Sequence, residues 1–331
     1  LFARAERRPE LLALLDAAHA RHIPTVLDDD LLTLGSGCAG RSWPLAALPA
    51  INQVPWNDLH GIPTALVTGS NGKTTTVRLL AAMLRAHGLR TAFSCTDGVF
   101  RDSEVFDSGD YSGPAGARTV LRMADAEAAV LETARGGILR RGLAVDHADA
   151  AIITNISADH FGEYGIDDLD GLTAAKAVVA HALKDHGVLV LNADDAQLLR
   201  HAQGLNHTKA WFALDDAHPQ LINARSRGEA TCAVDAGELV LTLANQRHAL
   251  GVITDMPLSL NGLARYNIAN IAGASLLAAA LGISAATIAQ VLARFGSTGL
   301  DNPGRLETWR FGGIRVIMDY AHNPDGLHGL L

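Results

Sequence analysis

One stretch limits what this chain can fold into more than any other. Val67-Thr68-Gly69-Ser70-Asn71-Gly72-Lys73-Thr74-Thr75 follows a short apolar run at 65–68 and opens a helical period with Val77, Leu80 and Leu84 at i, i+3 and i+7. Glycines at 69 and 72 allow backbone N–H groups to approach phosphate oxygens, and the N-terminus of the following helix supplies positive potential. Lys73 is placed against the β- and γ-phosphates, and the Thr74 hydroxyl is placed to ligate Mg2+. The spacing departs from GxxxxGK[ST], because Val67 stands five before Gly72 and the first glycine is Gly69. The competing reading is a plain glycine-rich turn before a helix. Strand, glycine turn and helix in that order favour a loop that binds ATP or GTP.

Around this loop the pattern alternates. Short apolar runs at 65–68, 128–131, 151–154, 188–191 and 210–212 are separated by helical periods. That predicts an α/β fold, a P-loop-containing, doubly wound, mostly parallel sheet with helices on both faces. Residues 10–27 read as a helix leading to a strand at 24–27, and 44–63 is loop-like, with four prolines. Residues 220–255 read as an antiparallel extension of the sheet, followed by helices at about 263–281 and 284–295. A linker at 296–303 precedes a strand at 315–320. The expected division is a small N-terminal segment at 1–60, a central ATP-binding domain at 61–298, and a linker with the start of a further domain at 299–331. Leu1 in place of Met, and a stop soon after a Pro-Asp-Gly turn, lead us to expect a chain cut at both ends.

Composition removes several alternatives. With 48% apolar and 19% charged residues, global disorder is excluded. A formal charge of −8 and no Lys/Arg-rich run argue against nucleic acid as a partner. Three distant cysteines, Cys38, Cys95 and Cys232, form neither a disulfide framework nor a zinc motif, and suit a cytoplasmic protein. The most apolar stretch, 268–283, contains Asn270 and Ser275 and falls short of the ~20 residues that span a bilayer, so no membrane partner is expected.

Three more residues draw notice. Glu132 ends the run at 128–131, just before Arg135-Gly136-Gly137, and strand carboxyl ends are where open α/β sheets bind ligands. Its plainer role is a strand-end ion pair. His160 follows the next strand in Thr154-Asn155-Ile156-Ser157-Ala158-Asp159-His160, as a metal ligand or as an ordinary surface histidine. Lys176 falls about 40° from Leu172 and about 20° from Leu183 on the apolar stripe of a helix expected over 170–183. A lysine there either snorkels out or is kept for chemistry. The chain has 23 arginines but only four lysines, Lys73, Lys176, Lys184 and Lys209.

Taken together the segments resemble the Mur ligase superfamily, ATP-dependent ligases that build peptidoglycan stem peptides and related amide bonds. The matching segments are Gly69 through Thr75, Thr154-Asn155 with Asp159-His160, Leu191-Asn192-Ala193-Asp194-Asp195, Tyr266-Asn267-Ile268-Ala269-Asn270, Pro303-Gly304-Arg305-Leu306-Glu307, and Asp319 through Asp325. Within the superfamily the chain looks most like the Mur-ligase-like half of the cyanophycin synthetases. That likeness is carried by the runs at 131–143 and 159–167, Thr96-Asp97-Gly98, and Gly109-Asp110-Tyr111-Ser112-Gly113-Pro114. It covers roughly residues 64–327.

The resemblance implies a Mur ligase central domain followed by the start of a C-terminal Rossmann-like domain, with ATP and Mg2+ as cofactors. Gly69, Ser70, Asn71, Gly72, Lys73, Thr74 and Thr75 would hold phosphate, Asn267 and Asn270 would lie near the adenine, and Arg305 and Asp319 would contact nucleotide. Thr74, Glu132 and His160 would be metal ligands, and Lys176 matches a lysine that is carbamylated in several Mur ligases and helps hold a second Mg2+. Lys73, Glu132, His160 and Lys176 form the implied catalytic set, with Asp110, Ser112 and Arg135 as acceptor-site candidates.

The implied reaction joins an amino acid, arginine in the cyanophycin reading, to an aspartyl carboxylate of a peptide through an acyl phosphate. A homo-oligomer and an ATP-grasp partner enzyme are the protein partners to consider. There are departures: residues 1–60 do not resemble an ATP-grasp half, and Tyr266 stands where many relatives have His. The rivals are a peptidoglycan-type UDP-N-acetylmuramoyl-peptide ligase, a folylpolyglutamate-type ligase, and a non-catalytic ATP-binding subunit.

Overall fold

Strands buried on both faces have to be apolar throughout, and that is how the centre of this chain is built. The computed structural model describes residues 8–158 and 161–330. It begins with helix α1 (Pro9–His19), which opens on a proline and buries Leu14 and Ala18. They pack on an antiparallel sheet of β1 (Thr25–Leu27), β2 (Leu31–Leu34) and β3 (Arg41–Pro44). The strand expected at 24–27 is therefore one of three. Arg122 docks this sheet by bonding the Asp28 carboxylate, the Thr33 hydroxyl and the Leu31 carbonyl.

Among the described residues the main sheet has eleven strands. They are β4 (Thr64–Thr68), β5 (Thr91–Cys95), β6 (Gly98–Arg101), β7 (Glu104–Ser108), β8 (Ala128–Glu132), β9 (Ala148–Ile153), β10 (Leu183–Asn192), β11 (Thr208–Phe212), β12 (Ala230–Asp235), β13 (Glu238–Leu243) and β14 (Gln246–Val252). Their spatial order is β14-β13-β12-β11-β10-β9-β4-β8-β5-β6-β7. Every neighbour pair from β12 to β5 is parallel, and both margins turn antiparallel.

Helices cover both faces. On one lie α2 (Lys73–Ala86), α8 (Arg265–Ala280) and α9 (Ala285–Leu292); on the other lie α3 (Pro114–Leu121), α5 (Leu169–Ala177), α6 (Ala196–His201) and α7 (Pro219–Ser226), with α4 (Arg135–Arg141) touching both α3 and α5. Helix α8 is apolar nearly all round because it is buried between α2 and the sheet, so its Asn267, Asn270 and Ser275 need internal partners. A hairpin of β15 (Glu307–Phe311) and β16 (Ile314–Met318) and helix α10 (Pro324–Leu330) close the described chain.

Two local expectations are corrected. The helix expected over 170–183 ends at Ala177; Val178–Ala182 tightens to a 3-10 turn and Leu183 already pairs with Ala148 in the sheet. Residues 220–255 are not wholly an antiparallel extension, since β12 pairs parallel to β11 through the α7 crossover. Only β13 and β14 run antiparallel there.

This topology positions the site. From β4 the chain passes beyond β8 to form β5, returns to β8, then crosses to β9 on the other side of β4. The carboxyl ends of β4, β5, β8 and β9 thus meet at the point where the strand order reverses, the crevice open α/β sheets use for ligands.

Candidate active site at the phosphate loop

Residues 69–72 make the turn from β4 to α2. Gly69 (φ +144°) and Gly72 (φ +83°) adopt backbone conformations that side chains disfavour, and a Cβ on Gly69 would lie 1.9 Å from the Thr154 hydroxyl. The neighbouring loop after β9 braces the turn. Asn155 accepts from the Asn71 N–H at 2.9 Å, and the Thr154 hydroxyl (2.6 Å) and Asn155 amide (3.0 Å) both donate to the Asn71 carbonyl. The Asn192-Ala193-Asp194-Asp195 segment holds that loop in turn: Asn192 donates to the Thr154 carbonyl, and Asp195 accepts from the Ile156 N–H while capping α6.

The polar groups converge on the mouth of the loop. Thr74 donates its hydroxyl to Glu132 Oε2 at 2.8 Å, and the hydroxyl of Thr96, at the end of β5, donates to Glu132 Oε1 at 2.9 Å. Glu132 is 1% exposed, so these bonds hold a carboxylate that would otherwise be costly to bury. It also helps push the Cys95 thiol up to about 12, after burial itself. Lys73 Nζ donates to the carbonyls of Gly69 (3.1 Å) and Ser70 (3.0 Å). Lys176, only 2% exposed, does not snorkel: its Nζ reaches under the loop to the Gly69 carbonyl at 2.8 Å.

A cleft of about 250 Å³ opens above the loop, lined by residues 70–75, Glu132, Asn267, Asn270, Arg305, Asp319 and Tyr266 among others. Asn270 donates to Asn267, which donates to the Leu258 carbonyl. The Tyr266 hydroxyl meets no partner among the described residues, and burial, then Asp319, raises its pKa. Arg305 lies over the Tyr320 ring at 4.5 Å, with Nη2 3.5 Å from the Thr74 hydroxyl. Asp319 accepts from the Leu306 N–H. Asn323 and Asn71 exchange amide hydrogen bonds at 2.9 and 3.2 Å, tying the start of α10 to the loop.

The acceptor-site candidates lie elsewhere. Asp110 bonds the hydroxyl and N–H of Ser112, and both line a second cleft of about 200 Å³ with Arg140 and Arg141. Arg135 is buried and pairs with Glu163 at 2.7 Å. His160 lies outside the described residues. Thr74 and Glu132 offer hard oxygen donors of the kind Mg2+ prefers, and they fit an ion that keeps several waters. Among the described residues no group of three or more His, Cys, Asp or Glu gathers. Thr96 and Asn323 carry no role in the sequence reading; both stand in quoted segments, at a strand end and beside a helix start, which is the one signal that marked them.

Fold and site together define a P-loop α/β domain whose glycine turn faces a buried carboxylate at the carboxyl ends of its central strands. The Mur ligase middle domain matches residues 67–278, and this chain belongs to that family. It is 35% identical over 265 residues to the cyanophycin synthetase of Synechocystis sp., covering 80% of this chain and 30% of that one. It is 30% identical over 282 residues to the UDP-N-acetylmuramoyl-L-alanyl-D-glutamate--2,6-diaminopimelate ligase of Xanthomonas oryzae pv. oryzae, covering 82% and 53%. A solved structure of a UDP-N-acetylmuramoyl-L-alanyl-D-glutamate--2,6-diaminopimelate ligase superposes with a TM-score of 0.59 at 22% identity, covering 81% and 53%, a likeness of fold. The chain thus spans less than a third of that cyanophycin synthetase and about half of the diaminopimelate ligases. No helix among the described residues is long and apolar enough to cross a membrane.

Proposed function

We propose that this chain carries the nucleotide-binding and phosphoryl-transfer core of an ATP-dependent, amide-forming ligase. The observation that carries the reading is the Thr74–Glu132 hydrogen bond at the mouth of the loop, beside Lys73 and under Arg305. The loop N–H groups would bind the phosphates, and Lys73 would exchange its bonds to the Gly69 and Ser70 carbonyls for phosphate oxygens. Thr74, Glu132 and His160 would hold Mg2+, which when bound neutralises charge between the β- and γ-phosphates. Lys176, once carbamylated on Nζ, would help hold a second ion.

In the reaction a substrate carboxylate oxygen attacks the γ-phosphorus, and the bond to ADP breaks. An amine nitrogen then attacks the acyl carbon, phosphate leaves, and the amine proton passes to solvent. The chain's likeness to the cyanophycin synthetase supports an aspartyl side-chain carboxylate as acceptor and arginine as amine. The second cleft would receive the acceptor, with Asp110 and Ser112 facing Arg140 and Arg141, while Arg135 keeps its pair with Glu163. A cytoplasmic setting, self-association and a separate ATP-grasp enzyme complete this reading.

Phosphate release from ATP, measured across β-aspartyl peptides with arginine or lysine, tests it. Arginine-dependent release is expected, and no dependence on either amine with any aspartyl acceptor overturns the substrate assignment. Lys73→Ala with undiminished ATP turnover overturns the nucleotide reading. Bicarbonate-independent activity, or full activity in Lys176→Ala, overturns the carbamate.

A further inference from the structure

The turn Thr96-Asp97 between β5 and β6 does two jobs with consecutive residues. Cys95 pairs with Gly98, so the hairpin has a two-residue turn. Thr96 grips Glu132, and Asp97 projects between two arginines that belong to different parts of the chain. One is Arg78, just past the first turns of α2. It is 7% exposed, its guanidinium lies over the Phe100 ring at 4.8 Å, and its Nη2 meets Asp97 Oδ2 at 3.0 Å. Arg78 Nε has no acceptor among the described residues, so this buried cation leans on Asp97 for compensation. The other is Arg305, from the segment that follows α9; its Nη2 stands 3.6 Å from Asp97 Oδ1 and 3.5 Å from the Thr74 hydroxyl.

We propose that Asp97 is a positioning residue that sets the Arg305 guanidinium over the terminal phosphoryl of a bound nucleoside triphosphate. Arg78 is fixed by burial, so the Asp97 oxygen facing it is fixed too, and the second oxygen becomes an anchor of defined position. Arg305 is held between that oxygen and the Tyr320 ring, beside the Thr74 hydroxyl and above the loop that would carry the β- and γ-phosphates. With the carboxylate neutralised, Arg305 loses its anchor and faces the uncompensated charge of Arg78, and it leaves the mouth of the loop. Asp97 thereby touches neither phosphate nor metal; it acts through Arg305. This inference rests on the nucleotide reading above and deepens it.

Binding of ADP and of the non-hydrolysable analogue AMP-PNP to the 331-residue chain, in the presence of Mg2+, separates the possibilities. Asp97→Asn is expected to weaken AMP-PNP by about tenfold and leave ADP within about threefold, because a lost charge-assisted contact to the γ-phosphoryl touches one ligand only. Asp97→Glu should recover part of the loss, and Asp97→Asn should add nothing further in an Arg305→Ala background. Unchanged AMP-PNP affinity in Asp97→Asn overturns the proposal. So does an equal loss of both nucleotides, which is what a merely structural role for the Arg78 pair produces. A parent chain that binds neither nucleotide overturns the nucleotide reading itself, an outcome distinct from both.

Discussion

Gly72 offers a test of the loop that can be worked from its surroundings. It precedes α2 at φ +83°, ψ −2°, and an alanine there takes on a left-handed backbone at about 1–2 kcal/mol. The added Cβ would also lie 2.1 Å from Asn270 Oδ1 and 2.8 Å from its Cγ. Asn270 is 5% exposed and hydrogen-bonded to Asn267, so its amide cannot turn aside without leaving buried polar groups unpaired, about 1–3 kcal/mol more. Gly72→Ala should therefore destabilise the chain by about 3 kcal/mol. Gly88 supplies the control: its φ is +98°, yet nothing lies within 4 Å of where an added methyl would stand, so Gly88→Ala carries the backbone cost alone, about 1 kcal/mol. Urea unfolding of both variants reads the difference, and ATP affinity should fall in Gly72→Ala only. Equal destabilisation in the two variants refutes the claim that α8 is wedged against the loop.

Other outcomes follow from single contacts. Thr96→Val keeps shape but removes the hydroxyl bond to Glu132, a loss of about 2 kcal/mol for a charge-assisted bond, so ATP turnover should fall more than the KM for ATP rises; unchanged turnover refutes the role. Burial works to raise the Asp28 carboxyl, but Arg122 and the N–H groups of Asp30 and Leu31 outweigh it and lower it from about 3.8 to about 2. That stabilisation is complete above pH 3.8 and disappears as pH falls toward 2, by about 1–2 kcal/mol after allowing for solvent screening. Acid unfolding of Asp28→Asn should lack that component. Cys38 is exposed whereas burial raises the thiols of Cys95 and Cys232, so a thiol reagent near neutral pH should titrate one group in the native chain and three after denaturation; two native equivalents refute the burial.

The parts of the fold that were legible in the sequence are those where one physical demand dominates. Strands β4, β8, β9, β10 and β11 are apolar runs because both of their faces are covered, and the loop after β4 stands out because phosphate needs glycine. Strand β5, Thr-Ala-Phe-Ser-Cys, is equally buried but reads as mixed, since Thr91 satisfies its hydroxyl on the Leu89 carbonyl. Crossover helix α7 has no marked apolar stripe, with only Leu221 and Ala224 buried, which hid the parallel pairing of β12. Lys176 was visible as a lysine on an apolar face, but its target, the Gly69 carbonyl 107 residues away, is a product of tertiary packing. The same holds for Thr96 and Asp97, whose partners sit on β8, on α2 and beyond α9.

The paired amides of Asn71 and Asn323 make the phosphate loop and the start of α10 two ends of one equilibrium. The coupling runs in both directions by thermodynamic necessity: whatever factor docking of this segment contributes to a ligand's affinity, the ligand returns to the docking. A ligand that binds more tightly while Asn71 faces Asn323 will therefore protect residues 319–330 from protease. One that draws the Asn71 side chain into the cleft will release them, so cleavage rate in that segment becomes a gauge of what occupies the loop.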